Sequence, residues 1–303
     1  MNFLKGLALT ILTFLLFFSL AVFGTLFTLN STLLNPDFVS AQVDKLDVAA
    51  LFKEMTEAQI SGQIPPEAAF FEEALYGTIA DNELWLKEQG KAAVHSGYDY
   101  LLGRTESLNI MISLEPLKAD LRERTWQLFQ QNLDKLPPQV AAAPPSMLEQ
   151  YFAQFYGQFS EQIPSEFKFD ESSIPPEVMA NLQLVRENIS YAQTAYYALI
   201  GFMLLLVLVI ILLHRSVKGA TRELGITFLL YGALDYASVW AMDKFLPALP
   251  LPDVPSSLQT WLTGLIVDFA APMKILGIGL MACGAALIII SIIYPRLRPA
   301  AEE

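Results

Sequence analysis

The chain has 303 residues, of which 53% are hydrophobic and only 17% charged, yet its formal net charge is −12. A water-soluble domain carries about 25% charged residues, so we expect part of the chain to lie in lipid and the acidic residues to be concentrated elsewhere. The balance of 19 Lys and Arg against 31 Asp and Glu excludes a basic nucleic-acid-binding surface, and the apolar content excludes a disordered chain. The single cysteine, Cys283, excludes an intramolecular disulfide framework and a Cys-based metal site.

Four apolar segments are long enough to cross a bilayer: 6–28, 194–213, 224–242 and about 272–294. The first has 23 uncharged residues, and a helix rises about 1.5 Å per residue against a hydrocarbon core of about 30 Å. A cleaved signal peptide is the alternative for this segment, since Ser19-Leu20-Ala21 suits a peptidase. Its apolar region exceeds the roughly 7–15 residues of a signal peptide, which favours an uncleaved anchor.

Basic residues predict the orientation of these segments, because they stay on the cytoplasmic side of a membrane. They precede the first segment, separate the second from the third and follow the fourth: Lys5, Arg215, Lys218, Arg222, Arg296 and Arg298. Both termini are therefore predicted to be cytoplasmic and residues 29–193 extracytoplasmic, with the chain in the plasma membrane.

Residues 29–193 hold 11 Lys and Arg against 24 Asp and Glu, a net charge of −13, so they account for all of the acidity. They contain no cysteine, which is typical of a prokaryotic exported domain. The predicted organisation is an N-terminal anchor helix at 1–28, an acidic extracytoplasmic domain at 29–193, and a three-helix membrane region with a short cytoplasmic loop and tail at 194–303. The fold class is an all-α integral membrane protein whose mainly helical outer domain contains a small two-stranded β element.

Caps, breakers and periodicity predict the elements of the outer domain. Helices are expected from Asn35-Pro36, after Asp47, over 81–102, over 115–136, from Ser146 to about Phe159 and after Pro175-Pro176, with a linker at 137–145. Residues 107–114 alternate in apolar character, which predicts a half-buried strand paired with 166–170. No breaker follows the last helix start, so one continuous helix is predicted from 177 to about 216.

Asp235 is the most specific polar signal, because a carboxylate deep in a membrane segment costs about 3 kcal/mol. It is expected to face other helices or water. Counting from each cytoplasmic end predicts a small, weakly polar set at similar depth: Ser19, Gly201, Cys283 and Gly284. The functional interpretation is a proton or cation step, or a carboxylate in a polar path. The alternative is a protonated Asp that forms a hydrogen bond between helices or subunits.

The outer end of the fourth segment carries Asp268 and Lys274. Pro272 is predicted to separate an amphipathic interfacial helix, 257–270, from the membrane helix. Lys274 is expected about 12 Å further out than Asp235, either in a site or with its amine extended to the interface. Small residues predict a close helix contact, within one chain or between copies: Gly277, Gly279, Ala282, Gly284 and Ala285.

Five aromatic residues fall within nine positions of the outer domain: Tyr151, Phe152, Phe155, Tyr156 and Phe159. Helical spacing places them on one broad stripe. This stripe is a candidate face for a protein partner, lipid or an apolar ligand, and the alternative is the core of the outer domain.

Signals for catalysis are poor, because His95 and His214 are the two histidines and no hydrolase, zinc or nucleotide-binding motif occurs. We therefore expect a non-enzymatic protein without a cofactor, whose outer domain binds a partner as an accessory subunit or receptor component. A small oligomeric channel or transporter that uses Asp235 is the second hypothesis. An outer-domain hydrolase with paired carboxylates is the third. The expected partners are membrane lipid and either another protein or further copies of the chain, with no nucleic acid.

Overall fold

The computed structural model describes residues 2–60, 69–161, 163–245 and 254–297. Eleven α-helices and two strands occur in these ranges: α1 Asn2–Ser31, α2 Pro36–Asp44, α3 Val48–Ile60, α4 Ala69–Asp81, α5 Glu83–Leu101, β1 Asn109–Ser113, α6 Glu115–Gln131, α7 Pro138–Ala141, α8 Pro145–Ser160, β2 Glu166–Asp170, α9 Pro176–His214, α10 Val217–Phe245 and α11 Ser256–Leu297.

The chain divides into two compact units. One, here called the apolar unit, comprises Met1–Phe38, Glu187–Leu251 and Leu262–Glu303. The other, here called the acidic unit, comprises Val39–Arg186 and Pro252–Trp261.

Four helices are long and apolar enough to cross a membrane, which confirms the four predicted apolar segments: α1, α9, α10 and α11. Helix α9 runs unbroken from Pro176 to His214, as the missing breaker predicts. The predicted break at Pro272 is wrong, because α11 continues through it from Ser256 to Leu297. A proline removes one backbone hydrogen bond, and the remaining bonds of this 42-residue helix preserve its course.

The core of the apolar unit joins α1, α9 and α10 through buried side chains: Leu16, Leu20, Leu206, Ile210, Leu224 and Tyr231. On α1 and α9 the core residues are four apart, which places them on one helix face. Tyr231 also packs edge-on against Phe17, with ring centroids 5.7 Å apart. Its hydroxyl contacts Gly24 so closely that a Cβ there would collide with it.

Two glycine pairs bring the backbones of α10 and α11 into contact. A Cβ on Gly232 would lie 2.5 Å from the carbonyl oxygen of Gly277, and a Cβ on Gly225 would lie 2.9 Å from that of Gly284. From the Gly225–Gly284 pair to the Gly232–Gly277 pair, the residue number rises by seven in α10 and falls by seven in α11. The two helices are therefore antiparallel. Of the small residues predicted for a close contact, Gly277 and Gly284 make it within one chain, whereas Gly279 has no atom within 4 Å of a Cβ position.

The core of the acidic unit is rich in aromatic rings and lies among α4, α6 and α8: Phe70, Phe71, Ala74, Leu121, Phe129, Phe152 and Tyr156. Helix α4 was not predicted. Its buried residues Phe70, Ala74 and Thr78 recur every fourth position, which is typical of a helix. The helix ends where the predicted helix at 81–102 begins.

Helix α6 ends at Gln131, five residues before the predicted end at Leu136, and a 3₁₀ turn at Leu133–Lys135 follows. The Asn132 side chain donates to the Leu128 carbonyl at 2.8 Å, which satisfies one of the acceptors left free at a helix end. The predicted linker at 137–145 contains the short helix α7.

The predicted strand pair is confirmed. Strands β1 and β2 are antiparallel, with Ile110 opposite Phe169 and Ile112 opposite Phe167. Residues along β1 alternate between exposed and half-buried, as a strand with one covered face requires. Asp170 at the end of β2 accepts hydrogen bonds from Ser172 and Ser173, which hold the pKa of its carboxyl well below the usual range.

The beginning of α11 is held within the acidic unit by Glu54 of α3. The Glu54 carboxylate accepts hydrogen bonds from Ser256 Oγ at 2.6 Å, Ser257 Oγ at 3.0 Å and the Ser257 backbone N–H at 3.2 Å. The first N–H groups of a helix lack an internal acceptor and carry partial positive charge, so a carboxylate stabilises them. Trp261 Nε1 adds a bond to the Gln42 carbonyl at 2.8 Å.

This contact predicts a pH-dependent opening. The hydrogen bond from Ser256 is the largest cause of a lowered pKa at Glu54, so the contact is fully stabilised above the unfolded-state pKa and is lost as the pH falls through the lowered value. We expect hydrogen exchange over 256–261, corrected for intrinsic rates, to be slow at neutral pH and faster in strong acid.

The matched variants for this test are Glu54→Gln and Glu88→Gln, since Glu88 is an exposed acid on α5. Glu54→Gln should exchange rapidly at neutral pH, whereas Glu88→Gln should behave as the parent protein. Equal exchange in the two variants would contradict the prediction.

Candidate functional site

Asp235 lies on the buried face of α10, with 5% of its surface exposed. Residues on this face recur at steps of three or four: Ala220, Leu224, Thr227, Tyr231, Asp235 and Val239. Its Oδ2 atom is 3.3 Å from the position of a Cβ on Gly277, so the carboxyl group packs against the backbone of α11. The absence of a side chain on Gly277 makes room for it.

The Asp235 carboxyl group is incompletely hydrogen-bonded. Among the buried side-chain atoms that the structure describes, three lack a hydrogen-bond partner: Gln42 Oε1, Asp235 Oδ2 and Asp243 Oδ1. A buried polar atom without a partner costs about 1–3 kcal/mol. Two of the three belong to carboxylates of α10. Burying these oxygens without hydrogen bonds therefore destabilises the apolar unit.

Of the polar set predicted at the depth of Asp235, the structure places Cys283 and Gly284 away from it along α11. Ser19 is buried in α1, Cys283 is exposed, and no atom lies within 4 Å of a Cβ position on Gly201. Gly284 contacts the backbone of Gly225 instead. Counting from the helix ends fails because the glycine contacts, and not the ends, set the level of α10 against α11.

The same contacts correct the expected depth of Lys274. Gly232 faces Gly277, Asp235 follows Gly232 by three residues, and Lys274 precedes Gly277 by three. In an antiparallel pair these offsets place Asp235 and Lys274 at the same level, so the predicted 12 Å separation along the helices is wrong. Asp268 is half-buried on α11, six residues before Lys274.

Lys274 forms an ion pair with Asp243, which the sequence did not single out. Lys274 Nζ lies 3.9 Å from Asp243 Oδ2, while Asp243 Oδ1 is the unpartnered atom. Asp243 follows Asp235 by eight residues, about 12 Å along α10. The Lys274 side chain therefore extends from the level of Asp235 towards Asp243. The two-turn spacing of the aspartates was the signal in the sequence.

A second polar cluster lies at the other end of α10. Glu223 Oε2 is 2.9 Å from His214 Nε2, and Glu223 Oε1 accepts a hydrogen bond from Thr13 at 2.5 Å. His214 Nδ1 is 3.1 Å from the Ile210 carbonyl. Both ring nitrogens thus face oxygens that are acceptors when Glu223 is ionised.

The aromatic stripe of α8 is divided between core and surface. Phe152 and Tyr156 are buried and Phe155 packs on the same cluster, so these three form the core of the acidic unit, whereas Tyr151 is 40% exposed. The Phe159 side chain lies outside the described residues. Tyr156 donates to the Lys118 carbonyl at 3.0 Å, and its burial raises the pKa of the phenol against the opposing charge of Arg122.

A cleft of about 560 Å³ lies between α6 and α8, next to this core. Its lining combines aromatic and charged residues: Ala119, Arg122, Glu123, Trp126, Glu149 and Phe152. The Trp126 and Phe152 rings are 4.9 Å apart. A smaller cleft of about 170 Å³ shares Glu123 and has Asp81 and Asp120 in its wall.

No group of three or more His, Cys, Asp or Glu side chains in the described ranges is arranged to hold a metal ion. The chain matches no protein-family model, no curated protein and no solved structure. Its class is therefore defined by its own architecture. It is a helical protein with a small two-stranded sheet and four helices that are long and apolar enough to cross a membrane.

Proposed function

We propose that the protein is a non-enzymatic, multi-pass plasma-membrane protein of a prokaryote, with cytoplasmic termini and residues 29–193 outside. The four apolar helices and the basic residues near their ends support this topology. Exposed aromatic residues give further support: Tyr191 and Tyr197 on α9 and Trp240 on α10 are 72%, 71% and 54% exposed. Such side chains favour the level of the lipid headgroups.

We further propose that the acidic unit binds a partner, as an accessory subunit or receptor component. The cleft between α6 and α8 carries this proposal. Trp126 provides an aromatic wall, and Arg122, Glu123 and Glu149 provide charged groups at the same cleft. A concave site with apolar walls and a few polar groups is the usual form of a binding site.

Photo-crosslinking in native membranes tests this binding. A benzoylphenylalanine replacing Glu149 should yield a discrete crosslinked product, because that position lines the cleft. The same replacement at Glu106, an exposed residue outside the cleft, should not yield it. The same products from both positions, or none from Glu149, would refute binding at the cleft.

The second candidate function is transport by an oligomer, and Asp235 is the specific observation in its favour. A buried carboxyl group with an unpartnered oxygen is costly in an apolar unit, and such residues mark ion and proton pathways in membrane proteins. Ion flux through reconstituted vesicles, compared between the parent protein and Asp235→Asn, tests this function.

A further inference from the structure

Polar residues lie along α10 on both sides of Asp235. Towards its beginning they recur every fourth position, at Tyr231, Thr227 and Glu223. Towards its end Asp243 follows, with Lys274 of α11 level with Asp235 and its side chain extended towards Asp243. We call this series, with His214 at one end, the α10 polar line. From Glu223 to Asp243 it covers 20 residues, about 30 Å of helix, which equals the thickness of a hydrocarbon core.

The geometry points to a proton-transfer site formed by Asp235, Lys274 and Asp243, through which the α10 polar line carries protons across the apolar unit. This inference rests on the second proposed function, transport, and identifies the transported species as the proton. Two observations carry it. Asp235 and Asp243 each have a buried oxygen without a partner, and the ion pair of Lys274 with Asp243 is long, at 3.9 Å.

A proton fits this site better than a metal cation does. Hard cations take about six to eight oxygen ligands, and the part of the chain that the structure describes has no cluster of ligating side chains. Asp235 Oδ2 packs close to the backbone of Gly277, so a hydrated ion has little space there. A proton needs no coordination shell, and it removes the charge that is costly to bury.

The transfer balances within the site. The Lys274 side chain turns from Asp243 to Asp235, which is level with its backbone, and its ammonium gives a proton to the Asp235 carboxylate, leaving a neutral amine and a neutral carboxylic acid. The amine turns back to Asp243, which has been protonated from its end of α10 and returns a proton to the amine. Asp235 passes its proton towards Glu223 and His214. One proton enters and one leaves, and every group returns to its starting state.

Replacement of Lys274 by arginine separates this role from a structural one. Arginine keeps the positive charge and the ion pair with Asp243, but a guanidinium does not release its proton in proteins. A structural ion pair therefore tolerates Lys274→Arg, whereas a proton-transfer site does not. Lys244→Arg is the matched control, because Lys244 is exposed and adjacent to Asp243.

The experiment uses the full-length protein in vesicles that contain a pH-sensitive dye, with the membrane potential clamped by potassium and valinomycin. We expect the parent protein and Lys244→Arg to dissipate an imposed pH gradient. Asp235→Asn and Lys274→Arg should fall to the rate of protein-free vesicles. Unchanged elution of the variants in size-exclusion chromatography controls for folding.

Two results would overturn the inference: proton flux in Lys274→Arg equal to that of the parent, or no flux above that of empty vesicles. Parallel assays with sodium and potassium indicators separate it from the transport function. Metal-ion flux that requires Asp235 but tolerates Lys274→Arg would retain transport and reject the proton as cargo. Absence of any flux would reject both, and it would leave the binding function of the acidic unit to its own crosslinking test.

Discussion

Replacement of Phe152 by alanine should destabilise the acidic unit by about 3–5 kcal/mol, the range for truncating a buried phenylalanine. Phe152 is 4% exposed, and its ring lies 4.9 Å from Trp126, 5.7 Å from Phe129 and 5.6 Å from Tyr156. Removing it leaves a cavity among α6 and α8 and breaks three aromatic contacts.

Tyr151→Ala is the matched control, because Tyr151 precedes Phe152 in the same helix and is 40% exposed. Its truncation should change the free energy of unfolding by less than about 1 kcal/mol. Guanidinium unfolding of the detergent-solubilised protein, followed by tryptophan fluorescence, measures both variants. Equal losses of stability would contradict the assignment of Phe152 to the core and of Tyr151 to the surface.

Phe152 and Tyr151 show what a sequence pattern predicts and what it leaves open. Helical spacing predicted the aromatic stripe of α8 but left open whether its face meets a partner or the core. The neighbours that decide this, Phe70 and Phe129, come from α4 and α6, and α4 was not predicted. Periodicity identifies an apolar face, while the element that covers it depends on contacts between distant segments.

Local signals predicted the elements well where one interaction dominates. The alternation in 107–114 was sufficient for β1, and Asp47 does cap α3, where Asp47 Oδ1 accepts the Ala50 N–H at 2.8 Å. Pro272 shows the opposite case. A proline favours a break in an isolated helix, but long membrane-type helices tolerate it when their surroundings compensate for the lost bond.

The candidate site was only partly predictable. Asp235 stood out because charge is rare in an apolar segment, and its burial follows from the same cost. The level of Lys274 relative to Asp235 depends on which glycine of α11 meets which glycine of α10. The sequence offers several small residues for that contact, and a shift of one helical turn changes every neighbour. The pairing of His214 with Glu223 likewise depends on the turn at Arg215, whose φ of 54° is uncommon for a residue with a side chain.

The glycine contact that sets this level predicts a second large effect. Gly232→Ala should destabilise the apolar unit by about 2 kcal/mol, within the range for overpacking a close contact, because its Cβ would lie 2.5 Å from the Gly277 carbonyl oxygen and 2.8 Å from the Met281 backbone nitrogen. Both obstacles are backbone atoms, so no side-chain rotation relieves them. The helices must separate, and Asp235 then loses its packing against Gly277.

Gly279→Ala is the matched control, and it should not lower the stability of the apolar unit. A Cβ there meets no atom within 4 Å, and alanine exceeds glycine in helix propensity by about 1 kcal/mol, so this variant should be as stable as the parent or slightly more so. Thermal unfolding in detergent measures the two variants side by side. If α10 and α11 associate through Gly232 and Gly277, the added methyl group lowers the melting temperature in Gly232→Ala and preserves or raises it in Gly279→Ala. A similar shift at both positions would mean that α10 and α11 do not meet at this pair, and the shared level of Asp235 and Lys274 would be wrong with it.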